Sequence, residues 1–327
     1  SVAPGELAHL ASHGILAVVA GSGSPYSHSA ILARSLHLPM LVNVSGVLED
    51  LRDGDLALVD GVRGEIVVHP AAQDLAQYRN WQRDAMREGQ RLAQLAGAET
   101  RTRDGRALRL FANAERPEDI ERARNLGAAG IGLYRTEFLF LAHDGLPGED
   151  EQFAAYRDAV LGAGGLPVTI RTLDLGADKA DAAGLVMDSE PNPALGVRGI
   201  RLSLQQIDVF VTQLRAILRA GCYGPVRILV PMITDAAELL EVRRLINECA
   251  RDLRTAGHEI PDQFELGAMV EVPAAAINVR ALLDAADFLA IGSNDLTQYV
   301  LAADRNNDQL GQLYRPAHPV VLRVMAW

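Results

Sequence analysis

Only two cysteines occur in 327 residues, Cys222 and Cys249, and they show no paired spacing. That excludes a secreted disulfide framework and fits no cysteine-based metal template, so the expected compartment is reducing and cytosolic. Aromatic residues make up 5% of the chain, while alanine, leucine and glycine are plentiful. Such a composition disfavours a β-sandwich and favours aliphatic packing of helices on parallel strands. No run approaches the ~18 consecutive apolar residues of a membrane-spanning helix. The opening SVAPGELAHLASHG lacks the charged stretch and apolar core of a signal peptide, and its first residue reads as a cut site. No long Lys/Arg run is present and the net charge is −11, which argues against nucleic acid or an anionic membrane as partner. An anionic ligand would have to meet a local cluster of arginines.

The chain is 49% hydrophobic and 22% charged, an ordinary globular composition at a length that usually makes more than one domain. GILAVVA at 14–20 ends in GSGSP, a helix-like stretch follows from Ser29 to Leu36, and PMLVNV reads as the next strand. DGDLALVDGVRGEIVVHP alternates around glycine turns and predicts two further strands. Together these form a small α/β domain over 1–70. The stretch 71–98 has no internal proline and places Leu75, Tyr78, Trp81 and Met86 at roughly helical steps, which predicts a long linker helix within a linker region 71–102.

From Leu108 strand and helix patterns alternate. RLFANA, AGIGLYRT, LPVTIRTLD, GVRGIRLSL, VRILVPMI, FELGAMVEV and DFLAIGSND give seven strand candidates with helical segments between them. No glycine-rich dinucleotide loop opens the series, so a (β/α)8 barrel over 103–327, lacking its last strand, is expected rather than an open sheet. The fold class is α/β.

In such a barrel reactive residues lie at the C-terminal ends of the strands. Those ends read Tyr134-Arg135-Thr136-Glu137, Arg171-Thr172-Leu173-Asp174, Arg198, Val270-Glu271-Val272 and Ser293-Asn294-Asp295. Arginines on successive strands would set planar, permanently charged forks around a multiply anionic ligand, such as a phosphate bearing a carboxylate. Glu271 and Asp295 can offer oxygens to a hard divalent ion that takes the rest of its shell from water and substrate, as Mg²⁺ does. His28 stands at a helix start after GSGSP, and taken alone reads first as a satisfied loop histidine. Lys179, after GAD, fits a solvated turn as well as a site.

The runs IGLYRTEFLFLAHDGLPGEDEQFAAY, TIRTLDLGADK, NPALGVRGIRLSL, GAMVEVPAAA and IGSNDLTQYVLAADRNND resemble Enzyme I of the phosphoenolpyruvate:sugar phosphotransferase system, including its occurrence inside fused multiphosphoryl transfer proteins. The resemblance runs from the histidine segment to the last residues. It implies a swivelling phosphohistidine domain, a helical linker and a phosphoenolpyruvate-binding barrel. It further implies that His28, in SHSAILAR, accepts the phosphoryl group on its tele nitrogen and passes it to the carrier HPr. Arg135 and Arg171 would hold phosphoenolpyruvate, with Asn294, Asp295 and Arg305 completing the pocket, Arg198 and Lys179 near the phosphoryl group, and Glu271 and Asp295 on Mg²⁺. Dimers formed through the barrel are implied as well. Glycines before His28 would let the backbone turn into the helix, whose free amides disfavour imidazolium and welcome the phosphoryl group. The domain bearing His28 would then swing between barrel and carrier about the linker.

Three departures stand beside the match. Tyr26 replaces a threonine before His28, Ala177 replaces a glycine in GADK, and neither Cys222 nor Cys249 matches the family's acidic cysteine on its last barrel strand. That strand and the HPr-docking subdomain are absent, so the chain is expected to be a truncated piece that binds phosphoenolpyruvate and Mg²⁺ with impaired turnover. Two other readings fit part of the pattern: a non-catalytic phosphoenolpyruvate-sensing or regulatory fragment, and a dikinase or phosphoenolpyruvate-synthase type of enzyme lacking its ATP-binding domain.

Overall fold

The structure, a computed structural model, describes residues 6–7, 10, 13–23, 28–36, 38–44, 46, 51–95, 98–142, 145–177, 183–185, 187–305, 307, 310 and 312–326. The chain divides into two compact units, one comprising Ser1–Gln94 with Leu301–Arg315, the other Leu95–Val300 with Pro316–Trp327.

In the first unit β1 (Val18–Val19) pairs in parallel with β2 (Met40–Leu41), and α1 (His28–Ser35) makes the crossover between them. The strand, helix, strand order expected for this stretch is present. Its small core gathers Leu7, Val18, Ala33 and Leu38. β3 (Ala57–Asp60) and β4 (Glu65–Val68) form an antiparallel hairpin. Asp60 closes its turn, where Oδ1 accepts the amides of Val62 at 2.9 Å and Arg63 at 3.0 Å, the local side-chain bonding that makes aspartate a turn residue. The long helix expected over 71–98 is α2 (Ala72–Ala93), and none of its residues is buried. Asp74 stabilises its start by accepting the Ala71 amide at 2.9 Å.

The second unit opens with a short antiparallel pair, β5 (Thr100–Arg101) and β6 (Ala107–Leu108), which the sequence pattern did not reveal. Six parallel strands follow: β7 (Ala112–Ala114), β8 (Ile131–Tyr134), β9 (Val168–Arg171), β10 (Val226–Val230), β11 (Glu265–Val270) and β12 (Phe288–Ile291). They lie side by side in chain order within one sheet. The helices between and after them are α3 (Pro117–Asn125), α4 (Glu137–Ala142), α5 (Glu149–Gly162), α6 (Ile200–Gln205), α7 (Ile207–Ala220), α8 (Ala236–Thr255), α9 (Pro273–Ile277), α10 (Val279–Leu283), α11 (Ser293–Leu301) and α12 (Pro319–Met325). The alternation expected for a (β/α)8 barrel lacking its last strand is present as an α/β half-barrel of six parallel strands. All four residues of β9 are buried, as are the last three of β10 and the last five of β11, because a parallel sheet covered by helices has no wet face. The helices meet it with apolar stripes at three- and four-residue spacing, as in Phe210, Leu214 and Ile217 of α7.

One of the seven expected strands is absent. GVRGIRLSL is a loop through Gly199 followed by α6, so the described sheet has six members. Gly199 has φ +57°, and a Cβ there would come within 2.8 Å of Met232, so the chain turns at a position only glycine fills comfortably. Among the described residues no helix is long and apolar enough to cross a membrane.

Candidate active site at the strand ends

A parallel sheet delivers all its strand ends to one edge. Glu115 follows β7, Arg135 follows β8, Arg171 ends β9, Glu271 follows β11, and Asn294 and Asp295 open α11 after β12. The registers keep these ends level: Leu229 pairs with Arg171, Val230 with Ala268 and Val270 with Ile291. Strand order and register therefore bring the charged residues to one rim.

Most of the charge sits in a single buried cluster. Arg171, Arg198, Glu271 and Asp295 are 9%, 8%, 1% and 5% exposed, where groups of their kind seldom lie without partners. Asp174 bridges the two guanidinium groups. It accepts from Arg198 Nε at 3.1 Å and Nη2 at 2.8 Å, and pairs with Arg171 Nη1 at 3.2 Å. Arg198 Nη1 donates to Asp295 Oδ1 at 3.1 Å. Arg171 Nη2 donates to Glu137 Oε1 at 3.0 Å, and the same oxygen accepts the Asp174 amide at 2.9 Å. Arg135 sits apart from these contacts, half-buried, with Nη1 donating to Glu115 Oε1.

The electrostatics follow from burial. Desolvation alone would lower the pKa of Arg171, but Glu137, Asp174, Glu271 and Asp295 outweigh it and hold the guanidinium above its ordinary value. Arg198 is held up against burial in the same way, chiefly by Asp174 and Asp295. Glu271 goes the other way for a carboxyl: burial, then repulsion from Asp174 and Asp295, push it up to about 8, against the pull of Arg171 and the Met232 amide. That amide reaches Glu271 Oε1 at 2.7 Å because Met232 adopts φ +59°, a left-handed conformation rare for such a side chain and concentrated at functional sites. Gly292 completes the fit, since a Cβ there would lie 2.5 Å from Glu271 Oε2.

Three polar atoms in this region are buried without a hydrogen-bond partner: Glu137 Oε2, Arg171 Nε and Thr172 Oγ1. Native interiors leave few such atoms, and each is a site where a ligand or water can be accepted. Two guanidinium groups here face four carboxylates. Burial first, and then the neighbouring carboxylates, raise Glu271, and the excess negative charge is what a divalent cation would balance. Among the described residues no group of three or more His, Cys, Asp or Glu side chains is arranged to hold a metal. A cation held by Glu271 and Asp295 would therefore complete its shell with water and ligand oxygens, as Mg²⁺ does.

The other expected site residues are placed as follows. Asn294 is exposed beside Asp295 at the start of α11. Arg305 lies in the Leu301–Arg315 segment of the first unit. His28 opens α1, but its side chain lies outside the described residues, as do Lys179 and Tyr26 entirely. Cys249 is buried in α8, with its thiol pushed up to about 11 by burial. The sequence reading did not assign Glu137 and Asp174, although both lie in the strand ends it quoted. It missed Met232 and Tyr299. The Tyr299 hydroxyl donates to the Ala194 carbonyl and lies 3.5 Å from Arg198 Nη1. Its spacing four residues after Asp295 on one helix was the available signal.

Two family models and several curated relatives match the chain. Residues 1–64 match the family described as PEP-utilising enzyme, mobile domain, and residues 89–327 match PEP-utilising enzyme, PEP-binding domain. A phosphoenolpyruvate-protein phosphotransferase of Cupriavidus necator is 45% identical over 330 residues, covering 99% of this chain and 56% of the relative. Proteins of the same name from Staphylococcus aureus and Bacillus sp. are 40% and 42% identical, each again covered over 56% of its length. The chain thus spans about half the length of the curated relatives it matches. With its 89–327 segment matched to the PEP-binding domain, the chain belongs to the PEP-utilising enzyme family.

Proposed function

We propose that the chain is the phosphoenolpyruvate-handling portion of a phosphoenolpyruvate-protein phosphotransferase, which moves the phosphoryl group of phosphoenolpyruvate to His28 and then to a carrier protein of the HPr type. The observation that carries this reading is the buried Arg171–Asp174–Arg198–Asp295 network at the strand ends, together with relatives bearing that activity's name. A domain division into 1–70, 71–102 and 103–327, Mg²⁺ dependence, a cytoplasmic location and dimers through the barrel belong to the same proposal.

In this reading Arg135 and Arg171 bind the carboxylate and phosphate of the substrate, Asn294, Arg305 and Lys179 complete the pocket, and Arg198 faces the transferring group. The guanidinium forks are held rigid before substrate arrives, so little reorganisation is needed as charge moves. Mg²⁺ on Glu271 and Asp295 would neutralise phosphate oxygens and orient them. The neutral His28 ring uses its tele-nitrogen lone pair to form the new N–P bond, while the P–O bond to enolpyruvate breaks and its electrons leave with the enolate oxygen. The test is incubation of the full chain with Mg²⁺ and phosphoenolpyruvate, followed by intact mass and peptide mapping. One acid-labile phosphate on His28 is expected. Phosphoenolpyruvate binding without that phosphate would support a ligand-sensing module instead, and no binding at all would overturn both.

A further inference from the structure

The 171–174 turn carries both Arg171 and Asp174, so its path sets the geometry of the buried cluster. Three consecutive amides in it are tied to three different elements. Thr172 N–H donates to the Leu229 carbonyl at 2.9 Å, Leu173 N–H to Gln213 Oε1 at 2.9 Å, and Asp174 N–H to Glu137 Oε1 at 2.9 Å. The first is a sheet bond and the third belongs to the charged cluster. The second comes from α7, whose stripe is otherwise apolar, with Phe210, Leu214 and Ile217 buried around Gln213.

Gln213 is 1% exposed and fully engaged. Its Nε2 donates to Thr136 Oγ1 at 3.3 Å and to Tyr156 Oη at 3.1 Å. Thr136 Oγ1 in turn donates to the Arg171 carbonyl at 3.1 Å. One amide side chain therefore holds the turn on both sides of Thr172, directly at the Leu173 amide and through Thr136 at the Arg171 carbonyl. Beyond Tyr156 the chain of bonds continues to Gln152 Oε1 at 3.0 Å, and Gln152 Nε2 ends it on the Pro147 carbonyl at 2.9 Å. A leucine would satisfy the packing at position 213 with no polar group to desolvate, so the glutamine is explained by what it holds.

We propose that Gln213 is a positioning residue for the anion-binding turn, acting through the Leu173 amide and Thr136 on Arg171 and Asp174. This rests on the phosphoenolpyruvate-binding reading above. It assigns no such role to Gln152, which is 0% exposed and part of the same bond chain but whose hydrogen bonds go to Tyr156 and Pro147 rather than to the turn. Gln213→Met and Gln152→Met each keep the volume and remove buried hydrogen bonds, so both should lower the melting temperature to a similar degree. Titration of phosphoenolpyruvate with Mg²⁺ into the full chain should then separate them. Gln213→Met is expected to bind about tenfold more weakly or worse, as small misplacements of binding groups do, while Gln152→Met binds as the unaltered chain does. Amide hydrogen exchange at Thr172 and Asp174 should accelerate in Gln213→Met alone. If Gln213→Met does not fold, Thr136→Val carries the test and must weaken binding in the same direction. Equal affinities for the two methionine variants, or equal losses, would overturn the proposal. Should the unaltered chain bind no phosphoenolpyruvate, the functional reading fails, and the exchange rates still decide whether Gln213 orders the turn.

Discussion

Arg198 and Arg244 each hold two carboxylates. Arg198 reaches Asp174 and Asp295, and Arg244 reaches Glu241 and Glu248 one turn away on α8. Their side chains are 10% and 51% exposed, and that single difference separates their meaning. On the solvated face of α8 the two charges compete with water and salt, and such pairs add little to stability. At the strand ends, water has been removed from every partner, and a hydrophobic replacement of the whole group would serve stability as well or better. Equal bonding thus marks a solvated helix surface in one place and, in the other, a buried cluster that the proposed function assigns to ligand binding. Counting ion pairs would not distinguish them, whereas burial and the unpartnered Arg171 Nε do.

The sharpest way to break this contrast is to remove each arginine in turn. Arg198→Gln leaves Asp174 and Asp295 as buried carboxylates without their cation, and should destabilise the chain by about 3–5 kcal/mol and abolish phosphoenolpyruvate binding. Chemical denaturation and calorimetric titration read the two effects separately.

A smaller effect is expected from Glu271, whose carboxyl is pushed from an ordinary 4.5 to about 8 by burial and by Asp174 and Asp295. Since the folded pKa lies above the unfolded one, its contribution is fully present below the unfolded value and fades as pH rises through the folded value. The metal-free chain should lose thermal stability between about pH 5 and pH 8, and Glu271→Gln should flatten that slope. A slope unchanged in the variant would remove Glu271 as its source.

The smallest effect should come from Arg244→Gln, which is expected to leave both the melting temperature and ligand affinity where they were. A loss of binding in this variant would show that the surface network is coupled to the strand ends, and the comparison would lose its force.

The alternating strand and helix pattern was legible because parallel strands buried on both faces read as short apolar runs, such as VTIR at β9 and ELGAMV at β11. GVRGIRLSL misled because its apolar spacing satisfies a strand as readily as a helix, and only the left-handed Gly199 decides. The β5–β6 pair was too short to stand out. At the site, the positions of Arg135, Arg171, Glu271 and Asp295 at strand ends could be read along the chain, since the topology alone sends them to one edge. The bridging place of Asp174, the amide of Met232 and the grip of Gln213 could not. Each depends on contacts across 24, 39 and 40 residues that no local pattern encodes.

In the proposed function the buried arginines and carboxylates hold a small phosphorylated acid beside a divalent cation. Isothermal titration of phosphoenolpyruvate into the full chain, with and without Mg²⁺, tests it most directly. Saturable binding to one site, strengthened by Mg²⁺ and lost in Arg171→Ala, is the expected result. Affinity that Arg171→Ala leaves unchanged, or no binding under either condition, would contradict it.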